Sequence, residues 1–357
     1  MTALEITRPL DQMRIAMLRH LMQNHALRKV YSDRALRLGL NYLLLFAVYL
    51  LTSLKFSIVL LIFGPLILGY PHLIASYRFL QRTPLTLQWN SAKSFQWFLV
   101  LTSVSVFIRL LLRKFYQLPD LPYGTWEILI SLITLGFLKV KWNTAGHLLV
   151  VLLTLFSTVF ILGFAWQYPL VFVGFALILH NWVAYGHWFL SAKTTKDKVI
   201  VFAGLILFAA AHVLIITGFF DPWISISEFT LLSTTSFQVN GWALAPWSTD
   251  SNMWDRIIVL YSFGLSLHYF IWLKAIPQNL EVNPMPNSFR RSLVLLKKDC
   301  GSIVTYFLFA AAVAGVALFV FTNQFGRIYF AVAMLHGWLE LTFLLLGLYS
   351  RLLLKTS

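Results

Sequence analysis

Apolar runs of about twenty residues, separated by short polar or charged breaks, recur along nearly the whole chain. A helix rises ~1.5 Å per residue, so each run is long enough to cross about 30 Å of hydrocarbon. The pattern predicts about ten transmembrane helices, roughly over 36–53, 57–80, 94–113, 124–140, 143–165, 168–190, 198–219, 254–276, 302–322 and 328–350. Only a very tight turn at Lys55 separates the first two. Residues 10–27 follow another pattern, with Met13, Met17 and Leu21 on one helical face and Arg14 and Arg19 off it. That suits a helix lying on the inner leaflet. The expected organisation is a basic amphipathic N-terminal arm, 1–35, on the inner membrane surface, followed by one transmembrane helix-bundle domain, 36–357. The arm has no secretory cleavage pattern, no repeat of 20 to 50 residues is visible, and no soluble domain is expected.

Composition agrees with this reading. A chain of 357 residues that is 59% hydrophobic and 11% charged is an all-α, polytopic integral membrane protein and not a soluble globule. Lysine and arginine test the span count, because cytoplasmic loops are enriched in them. They fall in alternate connections: Arg8 to Arg37 in the arm, then Arg78, Arg82 and Lys93, then Lys139 and Lys141, then Lys193, Lys196 and Lys198, then Arg290, Arg291, Lys297 and Lys298, and last Arg351 and Lys355. Both termini are therefore expected in the cytoplasm. The long connection 220–253 is expected outside and carries Asp221, Glu228 and Asp250 without Lys or Arg. Arg113 and Lys114 are the exception. The net charge of +15 then reflects topology and attraction to anionic lipid, with no need for nucleic acid as a partner. The single cysteine, Cys300, excludes an intramolecular disulfide and a cysteine metal cage.

Depth follows from counting along each span. His72 lies about eight residues from the inner end of its span, His180 and His187 about ten and three, His268 about eight, and His147 about four. Five imidazoles on four helices thus share the inner half of the bilayer. His336 lies nearer mid-membrane, and Glu340, one turn on, shares its helical face. His180 and His187 also share a face, since seven residues advance only ~20° short of two turns, with their Cα atoms roughly 10 Å apart. Polar groups at this depth are costly and mark cavities, partners or ions. A set rich in imidazole with one carboxylate suits non-haem iron, zinc or copper.

A lone intramembrane histidine is more often a hydrogen-bonded packing residue than a ligand, and convergence at one depth is what favours a site. His212 lies toward the outer side and His20 and His25 lie in the arm, so all three read as structural. Pro65 and Pro71 flank His72 and predict a bent helix beside it, although prolines are frequent in membrane helices. Tyr77, Tyr185, Tyr269 and Trp188 flank the histidines, with Tyr185 a candidate catalytic group beside Glu340. Arg109 and Glu127 are expected to pair near the outer surface.

No phosphate loop, dinucleotide fingerprint or adjacent histidine pair is present. In GYPH at 69–72, HNWVAYGH at 180–187, LHYFIWL at 267–273 and LHGWLEL at 335–341, the chain resembles the Brp/Blh family of bacterial carotenoid-cleaving dioxygenases. The resemblance implies histidine-held non-haem iron, dioxygen as co-substrate, a polyene cleaved within the bilayer, and a bacterial inner membrane.

The expectation is therefore a metal-dependent oxygenase acting on a hydrophobic lipid, isoprenoid or carotenoid substrate. Its metal ligands are His72, His180, His187, His268 and His336, and Glu340 and Tyr185 are the candidate catalytic groups. Non-haem iron is the expected metal, with another transition metal as the alternative. Two rival readings use the same residues, a b-haem electron carrier and an ion- or proton-coupled transporter.

Overall fold

A computed structural model describes residues 3–81, 145–167, 169–224, 252–280 and 325–353, with a few isolated positions between them. All regular structure among the described residues is helical. The spans expected at 94–113, 124–140 and 302–322, most of the outer connection, the Arg109–Glu127 pair and Cys300 lie outside the continuous described stretches.

The arm consists of α1 (Ala3–Gln23) and α2 (His25–Ser32). Met13 and Met17 are exposed on α1. The arm ends at Asp33, whose carboxylate oxygen accepts the backbone N–H groups of Ala35 (2.9 Å) and Leu36 (3.2 Å) and so caps the helix that follows. That helix, α3 (Arg34–Gly64), continues through a π-helical turn (Pro65–Gly69) into α4 (Tyr70–Gln81). Next come α5 (Ala145–Gln167), α6 (Pro169–Ser191), α7 (Thr195–Ile216) and α8 (Met253–Phe270). A second π-helical turn (Ile271–Ala275) leads from α8 into α9 (Ile276–Leu280), and α10 (Phe325–Leu353) closes the described chain. Three helical stretches are long and apolar enough to cross a membrane: Arg34–Leu61, Thr195–Ile216 and Asp255–Leu280.

α3 does not run straight. Phe56, beside the expected turn at Lys55, has φ −133° and ψ 36°, outside the helical region. Before it, the Tyr42 ring lies 6.2 Å from Phe270 and the Phe46 ring 5.2 Å from Phe263, so the chain advances toward the start of α8. After it, Leu61 packs with Leu265 and Tyr269, and Phe79 reaches Trp272, so the chain advances the other way. The two arms of α3 therefore form a hairpin around α8.

The same reasoning gives the other directions. On α6 and α7, Tyr185 and Trp182 both meet Phe208, Trp182 also meets His212, and Trp188 lies near Gly204, so these helices are antiparallel. On α6 and α8, Asn181 meets Gly264 and His187 meets Trp272, so these are parallel. On α6 and α10, His180 meets Gly337 and Leu190 meets Gly347. Helices α4, α6, α8 and α10 thus share one direction, and the first arm of α3 and α7 run against them.

Two ion pairs tie the ends of the bundle. At one end Arg34 Nη2 donates to Asp197 Oδ2 at 2.7 Å, and Asp197 also completes a capping box with Thr194 at the start of α7. At the other, both Arg256 Nε and Nη2 donate to Asp221, at 2.9 and 2.6 Å, joining the end of α7 to the start of α8. Gly218 (φ 81°) turns the chain beneath this pair, in a conformation that a side chain would strain. Between the two ends, Tyr42, Tyr185, Trp188, Phe208, Phe263 and Trp272 are buried in one core. Close approach matters more here than apolar area, because lipid is as apolar as the core. At Gly264 a Cβ would lie 2.7 Å from the Asn181 side-chain nitrogen, so α6 and α8 meet at this distance only because a glycine stands there.

Candidate metal centre

His72 on α4, His180 on α6, His268 on α8 and His336 and Glu340 on α10 come together, each offering one ligand atom, with all five atoms within 4.8 Å of one another. The π-helical turn Pro65–Gly69 ends three residues before His72, and the turn Ile271–Ala275 begins three residues after His268. Each widens the helix by part of a residue per turn and so redirects the neighbouring side chain. Proline at 65 and 71 removes two ladder donors at the first of them, as the bent helix expected there requires.

The distances are short for neutral side chains. His72 Nε2 lies 2.6 Å from His268 Nε2 and 2.9 Å from His336 Nε2. Glu340 Oε1 lies 2.7 Å from His336 Nε2 and 3.4 Å from His72 Nε2, and Oε2 lies 3.5 Å from His180 Nδ1 and 4.0 Å from His268 Nε2. His72, His268, His336 and Glu340 are buried, and His180 keeps 18% of its side chain exposed.

The surroundings of His336 favour one tautomer. The Ser76 hydroxyl donates to the Leu73 carbonyl at 3.0 Å, so Ser76 Oγ accepts from His336 Nδ1 at 3.3 Å. With the ring hydrogen on Nδ1, His336 Nε2 turns a lone pair toward Glu340 Oε1. Two acceptors 2.7 Å apart repel each other unless a cation lies against both. Both oxygens of Glu340 and the Nδ1 atoms of His72, His180 and His268 are buried without a hydrogen-bond partner. Among the described residues no lysine or arginine pairs with this buried carboxylate, which is ringed by imidazoles and so lacks a countercharge from them. The donor set fits a transition-metal ion: four imidazole nitrogens and one carboxylate oxygen suit iron, zinc or copper, and Ser76 is the kind of outer partner that orients a ligating histidine.

The other histidines fall elsewhere. His187 is buried, and its Nε2–H donates to the Glu340 backbone carbonyl at 2.8 Å. It shares the face of His180, as expected, but lies two turns further along, so it reaches the backbone of the acidic ligand and not the cluster. Tyr185 stands five residues from His180, about 140° around the helix. Its hydroxyl meets Tyr42 Oη at 2.8 Å, and Tyr42 donates in turn to the Gly204 carbonyl at 2.8 Å, so Tyr185 joins α6 to α3 and α7 and not to the cluster. His212 Nδ1–H donates to the Phe208 carbonyl at 2.9 Å, and His20 and His25 are exposed on the arm. His147 lies on α5, and its side chain and that of Tyr77 fall outside the described residues. The Tyr269 and Trp272 rings lie 5.2 and 6.2 Å from His72 and wall the cluster with aromatic surface. Trp272 carries no signal in the sequence that separates it from the other twelve tryptophans; only its place one turn after His268 marks it.

No protein-family model matches the chain, and comparison with curated proteins and with solved structures gives no match.

Proposed function

We propose that this chain is an integral-membrane, metal-dependent oxygenase with ten spans and both termini in the cytoplasm, acting on a hydrophobic substrate dissolved in the bilayer. Its metal is non-haem iron, held by His72, His180, His268, His336 and Glu340. The observation that carries the reading is the approach of His336 Nε2 to Glu340 Oε1 at 2.7 Å, inside a set of five converging donors. The five side chains would together hold the ion. When bound, iron supplies a centre at which dioxygen is activated toward an organic molecule. The protein's own residues exclude water, through Tyr269 and Trp272, and hold the donors in place, through Ser76 on His336 and His187 on the Glu340 backbone. The resemblance to carotenoid-cleaving dioxygenases extends the proposal to a polyene or other isoprenoid substrate.

The packing argues against a haem. Axial ligation needs two imidazoles facing each other across an open plane. Here a third and fourth imidazole and a carboxylate fill that plane within 4.8 Å. A transporter would use the same histidines for protons without retaining a metal.

Elemental analysis of protein purified without a histidine tag or added metal tests the proposal. About one iron per chain, without an intense Soret band, is expected. Near-zero iron, copper, manganese and zinc overturns it, and a Soret band transfers the histidines to a haem.

A further inference from the structure

One ligand of the cluster is oriented unlike the others. His72, His268 and His336 turn Nε2 inward, and His180 turns Nδ1 inward, 3.5 Å from Glu340 Oε2. The inner edge of its ring rests on the backbone of α10: a Cβ added at Gly337 would lie 3.1 Å from His180 Nδ1, 3.6 Å from Cε1 and 3.7 Å from Cγ. The opposite edge, with Nε2, is turned away from α10. This ring is also the one that reaches the surface, with 18% of its side chain exposed against 0 to 3% for His72, His268, His336 and Glu340. The residue before it, Leu179, is 48% exposed. In the proposed ten-span arrangement this surface lies about ten residues from the inner end of its helix, at the depth of hydrocarbon.

We propose that the metal centre opens to the bilayer past His180, and that dioxygen and the lipid-dissolved substrate reach the metal there, beside the α6–α10 contact. This rests on the metal reading above. Among the described ligands, the other four are closed behind packed side chains, and Trp272 and Tyr269 wall the far side. A ligand bound through Nδ1 carries its hydrogen on Nε2, so the entrance also presents an N–H donor. The substrate class that fits is an apolar molecule with an oxygen acceptor, a hydroxyl, carbonyl or carboxylate, near the reacting carbons.

The test is chemical rescue of the full-length protein loaded with Co(II), whose visible spectrum reports the ligand set. His180→Gly is expected to lose the wild-type spectrum and to regain it in millimolar imidazole. His268→Gly and His336→Gly leave cavities that imidazole cannot enter, so they should stay unrescued. Equal rescue of all three, failure to rescue a folded His180→Gly protein, or a wild-type spectrum in that variant without imidazole overturns the entrance. A second measurement needs no variant: wild-type protein in lipid nanodiscs is footprinted with a lipid-soluble alkyl diazirine. Carbene insertion is expected at His180 and absent at His72, His268 and His336. Insertion spread equally over the four, or absent from His180, refutes the proposal. Wild-type protein that binds no Co(II), iron or zinc removes the metal reading alone, because the footprint still reports which imidazole faces the lipid.

Discussion

Gly337→Ala separates metal binding from folding at a single methyl group. In the wild-type protein the His180 ring lies against the Gly337 backbone, and the new Cβ would stand 3.1 Å from Nδ1, the proposed ligand atom. That is tighter than ordinary van der Waals contact, so the ring must give by a few tenths of an ångström. The backbone of α10 cannot retreat, because His336 and Glu340 hold it on either side within the cluster. The ring moves outward, toward the exposed side and away from Glu340. Metal–nitrogen distances tolerate about 0.2 Å, so the shift costs His180 much of its bond. A loss of about 10- to 100-fold in metal affinity is expected, which is about 1.4 to 2.8 kcal/mol. Folding responds differently. Overpacking costs about 1–3 kcal/mol, and alanine recovers up to about 1 kcal/mol of helix propensity over glycine, so the metal-free protein should melt within a few degrees of wild type. Competition of Co(II) against a chromophoric chelator measures the first quantity and thermal melting of the apo-protein the second. Gly163→Ala is the control: its Cβ meets nothing within 4 Å, so it should leave affinity unchanged. Wild-type affinity in a folded Gly337→Ala protein would refute the placement of His180 Nδ1 at the metal.

Three further predictions follow from the same contacts. His72→Ala, His268→Ala and His336→Ala should strip metal from monodisperse protein, whereas His20→Ala, His25→Ala and His212→Ala should retain it and Glu340→Gln should be intermediate; metal content that tracks expression alone would break the assignment. Where the end of α7 meets the start of α8, hydrogen bonds from Arg256 hold the Asp221 carboxyl below its ordinary range, so the stability this pair contributes is present above about pH 4 and lost as pH falls through the lowered folded value. Melting between pH 2 and 6 should show that dependence at up to about 1 kcal/mol, and Asp221→Asn should abolish it. A reporter fused after Ser357 is expected in the cytoplasm and a tag near Ser233 outside, and detection of both on one side would refute the ten-span arrangement.

Much of the cluster is legible from depth alone, because His72, His180 and His268 lie eight to ten residues from the inner ends of their spans and Glu340 follows His336 by one turn. Periodicity also puts His180 and His187 on one face. It cannot say that both meet the same residue of the facing helix, one at the carboxylate of Glu340 and the other at its backbone carbonyl. The role of Tyr185 depends on Tyr42, 143 residues earlier, and no local pattern announces that hydroxyl pair. The π-helical turns are half legible: Pro65 and Pro71 signal the first, and nothing in IWLKA signals the second. The end clamps escape for the same reason as Tyr185. Arg34 and Lys196 read as charges that set topology, yet Arg34 is spent on Asp197 across 163 residues.

The spacing of the ligands has a topological cause. The helices that carry them, α4, α6, α8 and α10, run in one direction, as the paired contacts along them require. In a chain that crosses a bilayer with each span, parallel helices are never sequence neighbours. Ligands on parallel spans must therefore lie at least two crossings apart, which is why the histidines of one site are scattered from 72 to 336. In the proposed ten-span arrangement they occupy the second, sixth, eighth and tenth spans, all descending from the outer surface. Each ligand's depth is then set by counting from the same end, so three similar counts suffice to bring His72, His180 and His268 to one level, and His336 joins them from nearer mid-membrane. The intervening first arm of α3 and α7 carry no ligand and serve as struts. They pair with each other at one end through Arg34 and Asp197, and α7 pairs with α8 at the other through Asp221 and Arg256. A one-residue insertion in α7 should therefore disturb the clamps before the cluster. The same insertion in α6, between the connection to α7 and His180, would rotate the ligand by about 100° and take it out of the site.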